Sequence, residues 1–138
     1  MAATVEFEND DGTVVRYVRH LNGGGLVSPG ARVHEGASVS STAYVESGAR
    51  VGDRSRIGEG SWLDHDVIVG EDVRVDRNVH LGPRTHVHHG ARIGPNSRIG
   101  SDVVIGRGAR LPADALVPNG TTVRRSARSG RSTFGIAA

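Results

Sequence analysis

The chain has 138 residues, of which 36% are hydrophobic and only 4% aromatic, and its formal net charge is +2. This length suits a single domain, and so small a charge makes nucleic acid an unlikely partner. The absence of cysteine excludes disulfides, thiolate metal sites and a cysteine nucleophile. The sequence has no apolar run of membrane-spanning length and no charged-then-apolar leader, so we expect a cytoplasmic protein without membrane contact.

Residues 1–25 are predicted to form an N-terminal β-hairpin followed by a glycine-rich connection. Residues 4–8 and 13–19 alternate like strands, and the turn sequence Asn-Asp-Asp-Gly at 9–12 lies between them. The hairpin precedes a long internal repeat. Because the open end of a repeat structure exposes unpaired backbone and core side chains, we expect the hairpin to cap that end.

Residues 26–123 carry a six-residue repeat that sets the architecture. An aliphatic residue returns at every sixth position through seventeen hexads: Val27, Val33, Val39, Val45, Val51, Ile57, Leu63, Val69, Val75, Leu81, Val87, Ile93, Ile99, Ile105, Leu111, Val117 and Val123. This period fits neither a helix nor a plain alternating strand, but it fits short strands joined by corners. Gly, Asn or Asp three positions after most of these residues supplies the positive φ of a tight corner.

The repeat resembles the hexapeptide-repeat family, in which three hexads make one triangular coil of a left-handed parallel β-helix. The resemblance covers about seven tenths of the chain and implies an all-β fold of about six coils. Members of the family are typically homotrimers with parallel coil axes. Residues eighteen apart should stack, which places Tyr44, Trp62 and His80 in one outward column. Since an outward aromatic stripe usually contacts a partner, we predict a homotrimer that associates through the Tyr44/Trp62 face.

One hexad carries a candidate general base. Within residues 63–70, His65 stands two positions after the inward Leu63 and lies between Asp64 and Asp66. An imidazole is a suitable base at neutral pH for an attacking hydroxyl or amine, and a neighbouring carboxylate can fix its tautomer.

This hexad resembles the active-site hexad of hexapeptide acyltransferases, notably UDP-N-acetylglucosamine acyltransferase and the sugar N- and O-acetyltransferases. The resemblance implies an acyltransferase with acetyl-CoA or another acyl-CoA as donor and a small-molecule acceptor. His65 would be its general base, and Asp66 or Asp64 would orient the imidazole.

Four arginines recur every eighteen residues on another side of the coil: Arg56, Arg74, Arg92 and Arg110. Like charges stacked at strand spacing repel one another unless solvent screens them or anions pair with them. A guanidinium group binds phosphate through a planar fork. We therefore take Arg74, Arg92 and Arg110 as candidate contacts to the phosphates of the donor, with solvated or subunit-paired arginines as the alternative.

Two other functions remain open from the sequence. His86, His88 and His89 surround the inward Val87, and imidazoles converging from neighbouring subunits could hold zinc with an open position. That arrangement is similar to the γ-class carbonic anhydrases, although their pair of histidines five residues apart is missing. The uninterrupted hexads, without a protruding loop, also suit a non-catalytic structural or assembly β-helix.

Residues 124–138 follow the last hexad. Their first part, Arg124 to Arg131, is basic and contains no acidic residue. This composition is typical of a flexible tail, and we expect a solvated terminus, with contact to an anion or nucleic acid as the alternative.

Overall fold

A computed structural model describes residues 4–125, and the predicted basic tail lies outside the described residues from position 126 onwards. The described part is all-β and contains no helix. It therefore also contains no helix long and apolar enough to span a membrane. Two longer strands, β1 (Thr4–Glu8) and β2 (Val14–Arg19), precede seventeen strands of two residues each.

These short strands follow the hexads one for one. They are β3 (Leu26–Val27), β4 (Arg32–Val33), β5 (Ser38–Val39), β6 (Tyr44–Val45), β7 (Arg50–Val51), β8 (Arg56–Ile57), β9 (Trp62–Leu63), β10 (Ile68–Val69), β11 (Arg74–Val75), β12 (His80–Leu81), β13 (His86–Val87), β14 (Arg92–Ile93), β15 (Arg98–Ile99), β16 (Val104–Ile105), β17 (Arg110–Leu111), β18 (Leu116–Val117) and β19 (Thr122–Val123). Each strand thus ends on the aliphatic residue of its hexad.

Each short strand stacks in parallel on the strand three places earlier in the chain, which gives the coil three flat sides. Face 1 contains β3, β6, β9, β12, β15 and β18; face 2 contains β4, β7, β10, β13, β16 and β19; face 3 contains β5, β8, β11, β14 and β17. The register is eighteen residues, so that Trp62 pairs with His80 and Arg74 with Arg92. This is the predicted left-handed parallel β-helix, with five complete coils and two sides of a sixth.

The core is one column of aliphatic side chains along the axis. Leu63, Leu81 and Ile105 are fully buried, and small residues fill the space beside the column. Burial of each such large aliphatic side chain contributes about 1.5–3 kcal/mol. Stability therefore accumulates coil by coil, because each coil packs only on its neighbours.

Four buried hydroxyls replace small apolar residues beside the core: Ser55, Ser61, Thr85 and Ser97. The Ser61 hydroxyl donates to the carbonyl of Asp76 at 2.6 Å and accepts the backbone N–H of Val79 at 3.0 Å. Among the described residues, no buried side-chain polar atom lacks a hydrogen-bond partner. These hydroxyls therefore tie successive coils together without an unpaired buried group.

From Gly48 to Gly120 the corners adopt the left-handed backbone conformation at every sixth residue, whereas Gly30 and Gly36 in the first coil do not. Gly, Asn and Asp occupy most of these positions, but Arg54 and Arg84 do so with φ of 59° and 62°. Each guanidinium forms a two-pronged ion pair with an aspartate one coil further on, Arg54 with Asp72 and Arg84 with Asp102. The hexad pattern does not foresee arginine here, where a side chain longer than that of Asn is uncommon.

The N-terminal hairpin extends face 1. β1 pairs antiparallel with β2, and β2 pairs antiparallel with β3, so the hairpin covers the first edge of that sheet. The ring of Tyr17 is buried and packs edge-on against Tyr44, with centroids 5.4 Å apart. Phe7 packs against both rings. Tyr44 therefore lies under the cap, in contrast to the exposed aromatic stripe that the sequence predicts.

Candidate active site

His65 lies at the corner between face 1 and face 2, where the chain passes from β9 to β10. The inward Leu63 ends β9, and Asp66 makes the turn with a φ of 61°. The side chain of His65 is 60% exposed. A corner that carries an imidazole this accessible can present it to a molecule bound outside the coil.

Asp64 is the carboxylate that lies against His65. Its Oδ1 accepts the backbone N–H of His65 at 2.8 Å and lies 4.0 Å from Nε2 of the same residue. Its side chain is only 13% exposed. Asp66 is placed differently, because its Oδ1 lies over Gly48 of the preceding coil. Of the two acids that flank His65, Asp64 is therefore the one whose carboxylate lies near the imidazole.

The second oxygen of Asp64 faces His80 from the next coil on face 1. The distance from His80 Nε2 to Asp64 Oδ2 is 3.2 Å. The His80 ring also stacks on the indole of Trp62, with centroids 4.3 Å apart and planes inclined by 17°. The sequence places His80 in the Trp62 column but indicates no role for it. The signal was the spacing of sixteen residues between Asp64 and His80.

Trp62 and Glu46 link this cluster to the N-terminal cap. The indole Nε1–H of Trp62 donates to Glu46 Oε2 at 2.8 Å, and the hydroxyl of Tyr17 donates to Glu46 Oε1 at 2.9 Å. Burial raises the pKa of Tyr17, and the hydrogen bond to the Glu46 carboxylate raises it further. The Tyr17 hydroxyl is therefore a firm donor, and the contacts run without a break from β2 to His65.

The arginine column lies on face 3. Arg56, Arg74, Arg92 and Arg110 pair in successive strands, and all four are exposed. Within residues 4–125, no carboxylate oxygen lies within the 4.0 Å ion-pair distance of these four guanidinium groups. A shallow recess is lined by Arg56, Arg74 and Arg92 together with Arg54 and Ser38.

Face 3 is the side opposite the corner that carries His65. One chain therefore does not bring the arginine column and His65 together. Both can belong to one site only if they come from different subunits.

The three histidines considered for zinc do not converge within the chain. His86 and His88 stack on each other at 3.9 Å, whereas Nδ1 of His89 accepts the backbone N–H of Glu71 at 2.8 Å. Burial lowers the pKa of His86, and the nearby His88 and His89 lower it further. No group of three or more His, Cys, Asp or Glu in the described part of the chain could hold a metal ion. A zinc site shared between subunits stays a prediction.

Comparison with known proteins agrees with this architecture. A family model described as bacterial transferase hexapeptide (six repeats) matches residues 74–107 and 84–119. No curated protein sequence matches the chain.

Solved structures give closer parallels. The acetyltransferase domain of PglB from Neisseria gonorrhoeae, in complex with acetyl coenzyme A, is 26% identical with a TM-score of 0.63, over 72% of this chain and 53% of that one. A second structure of that domain is 30% identical with a TM-score of 0.52, with the same coverage of 72% and 53%. A mutant of perosamine N-acetyltransferase from Caulobacter crescentus, in complex with CoA and GDP-perosamine, shares the fold at 24% identity and a TM-score of 0.50, over 71% of this chain and 49% of that one.

The chain spans about half the length of these structures. The hexads, the three-sided coil and the comparisons lead to one conclusion. The chain has the repeat and the left-handed β-helix fold of the hexapeptide-repeat superfamily, and the family model matches it over residues 74–119.

Proposed function

We propose that the chain is an acyl-CoA-dependent acyltransferase that moves a short acyl group, such as acetyl, to a small-molecule acceptor. The observation that carries this proposal is the exposed His65, with the carboxylate of Asp64 beside it, on a coil similar to an acetyltransferase domain. An imidazole and a carboxylate in contact are the groups that general-base chemistry at neutral pH requires.

His65 removes the proton from the acceptor. The hydroxyl or amine of the acceptor attacks the thioester carbonyl, and the imidazole takes up its proton as the new bond forms. The carbon–sulfur bond then breaks, and the imidazolium returns a proton to the CoA thiolate. Asp64 Oδ1 lies 4.0 Å from Nε2, and its negative charge stabilises the imidazolium that forms.

The arginine column supplies the phosphate contacts for the donor. Arg74, Arg92 and Arg110 form a row of fork-shaped donors without carboxylate partners among residues 4–125, which suits a polyphosphate group. Since the row lies on face 3, it would meet the His65 corner of a neighbouring copy. A closed ring of three copies, in which face 1 of one contacts face 3 of the next, makes three equivalent sites. Trp62, which is 42% exposed, belongs to that contact, whereas the cap covers Tyr44.

Thermal unfolding with and without acetyl-CoA tests the proposal. A ligand present at a hundred times its dissociation constant stabilises the folded protein by about 2.7 kcal/mol. Both the wild type and His65→Ala should show this shift, because His65 acts on the acceptor. Absence of a shift with acetyl-CoA and with other short acyl-CoA donors would contradict the proposal and favour a structural β-helix.

Turnover then tests the base. The chain has no cysteine, so a thiol reagent detects released CoA without background from the protein. We expect His65→Ala to lower CoA release with amino-sugar acceptors by roughly 10²–10⁴-fold. His34→Ala is the matched control, because His34 is also exposed and also lies beside an aspartate, Asp53, on a different coil.

A further inference from the structure

Asp64 is shared between two histidines of different coils. Its Oδ1 is held by the backbone N–H of His65, and its Oδ2 lies 3.2 Å from His80 Nε2. The neutral His80 ring must therefore carry its proton on Nε2 to donate to this carboxylate. With both oxygens engaged, the carboxylate plane is fixed, and Oδ1 remains directed at His65.

His80 is itself held in place. Its ring is stacked on Trp62 and is 31% exposed, and the indole is in turn anchored by Nε1–H donation to Glu46. A histidine on an outward strand position usually rotates freely between rotamers. Here stacking and hydrogen bonding select one orientation, which is the arrangement expected of a residue that supports a reacting group.

Stability alone does not account for this arrangement. A partly exposed ion pair contributes at most about 1 kcal/mol. Of the other outward residues of face 1, Trp62 donates to Glu46 at the same sixteen-residue spacing, whereas Arg98 and Leu116 form no ion pair with a corner carboxylate within residues 4–125. The cluster is centred on the corner that carries Asp64 and the exposed His65.

We propose that His80 is a positioning residue for the acyl transfer: held by Trp62, it fixes Asp64, and Asp64 orients His65. This inference rests on the function proposed above. His80 itself does not touch the acceptor or the thioester and exchanges no proton with either. Its effect is on the alignment of His65, where an error of 1 Å can cost roughly a hundredfold in rate.

Two substitutions separate the contributions of His80. His80→Phe keeps an aromatic ring against Trp62 but removes the donor to Asp64. His80→Gln keeps an N–H donor of similar reach but removes the ring. We expect His80→Phe to lower kcat by roughly tenfold to a hundredfold with little change in KM for acetyl-CoA. We expect His80→Gln to recover most of that loss.

Nitrogen-15 NMR of the histidine rings tests the same inference without turnover. In the wild type, His80 should be the Nε2–H tautomer, and Asp64→Ala should abolish that preference. The ring signals of His65 should shift in His80→Phe and return towards the wild type in His80→Gln. His34→Phe, which removes the matched imidazole beside Asp53, should leave the signals of His65 unchanged.

The outcomes distinguish the two proposals. If the wild type does not release CoA, the function proposed above fails, whatever the spectra show. If the wild type is active but His80→Phe changes neither kcat nor the His65 signals, the positioning role is overturned. If His80→Gln is as inactive as His65→Ala, His80 takes part in the chemistry directly, which also overturns a positioning role.

Discussion

Trp62 and His80 stack one above the other on successive coils of face 1, with ring centroids 4.3 Å apart. This pair joins the two parts of the molecule that matter most for the proposed chemistry. Trp62 is linked through Glu46 to the N-terminal cap, and His80 contacts Asp64 beside His65. A coil built from hexads of one pattern thus acquires a distinct region, defined by side chains on the outside of the solenoid.

An experiment with mixed subunits tests whether His65 of one subunit and the arginine column of another form one site. Two variants should each be inactive alone. One is His65→Ala, and the other has Arg74, Arg92 and Arg110 changed to Gln. When they are unfolded together and refolded, some interfaces combine an intact His65 with an intact arginine column, so CoA release should reappear. Mixtures that remain as inactive as the separate variants would show that His65 and the arginines do not form one site across an interface.

Core packing gives a matched pair on a single strand. Ile105 is fully buried on β16, while its neighbour Val104 is 36% exposed on the outside. Ile105→Ala should lower the free energy of unfolding by about 2–5 kcal/mol, because it leaves a cavity in a column that cannot collapse. Val104→Ala should change it by about 0.5 kcal/mol or less. Urea unfolding measures both, and similar losses would contradict the inward orientation of Ile105.

Close stacking of the coils makes some glycines irreplaceable. A Cβ at Gly58 would lie 2.6 Å from the backbone carbon and 2.7 Å from the carbonyl oxygen of Asp76, and neither can move without shifting a coil. Gly58→Ala should therefore cost about 1–3 kcal/mol, as other overpacking substitutions do.

Gly30 is the control for this substitution. The close contact of a Cβ there would be with the rotatable hydroxyl of Ser47 at 2.6 Å, and its next neighbours lie at 3.5 Å or more, so Gly30→Ala should change the urea midpoint little. A loss as large as that of Gly58→Ala would show that close approach of the coil backbone is not the cause.

His86 should make stability depend on pH. Its pKa is lowered by burial and by His88 and His89, so between that value and the ordinary value of about 6.5 the unfolded chain binds more protons than the folded one. The folded protein therefore has its full stability above the ordinary pKa of His86. It loses stability as the pH falls towards the pKa that His86 has in the folded state. Urea unfolding between pH 5 and 7.5 should show this loss, and His86→Gln should reduce it.

An NMR titration of His86 is the direct check. Its ring C–H signals should titrate with a midpoint below that of a histidine in an unfolded peptide. A midpoint for His86 at or above the peptide value would contradict the lowered pKa.

The fold was predictable from the sequence because the inward position is aliphatic in every hexad. An aliphatic residue every six positions fixes which side chain is inward, and a glycine, asparagine or aspartate fixes where the chain turns. Nearly all members of the inward column are buried; Val33, in the first coil, is only half-buried. Thr42 and the two corner arginines depart from this pattern, and each arginine is compensated by an ion pair with the following coil.

The site was less accessible from the sequence. An eighteen-residue spacing identifies the neighbours of Trp62 as Tyr44 and His80, but it does not say towards which of them the indole leans. Tyr44 packs against the cap, whereas the indole of Trp62 stacks on His80. Likewise, a histidine between two acids does not reveal which acid contacts it. That choice depends on the corner, where Asp66 adopts the left-handed conformation and directs its carboxylate to the preceding coil.

The eighteen-residue register also constrains how such a chain can change in length. Removal of eighteen residues, for example 103–120, deletes one whole coil and leaves every remaining column on its own face. Removal of six would keep the aliphatic column intact yet rotate all later residues by one side, bringing Arg110 above His86 instead of Arg92. Such a variant would fold around the same core with a scrambled exterior. The core therefore depends on a period of six residues, whereas the surface columns depend on a period of eighteen. Only gains or losses of whole coils preserve both.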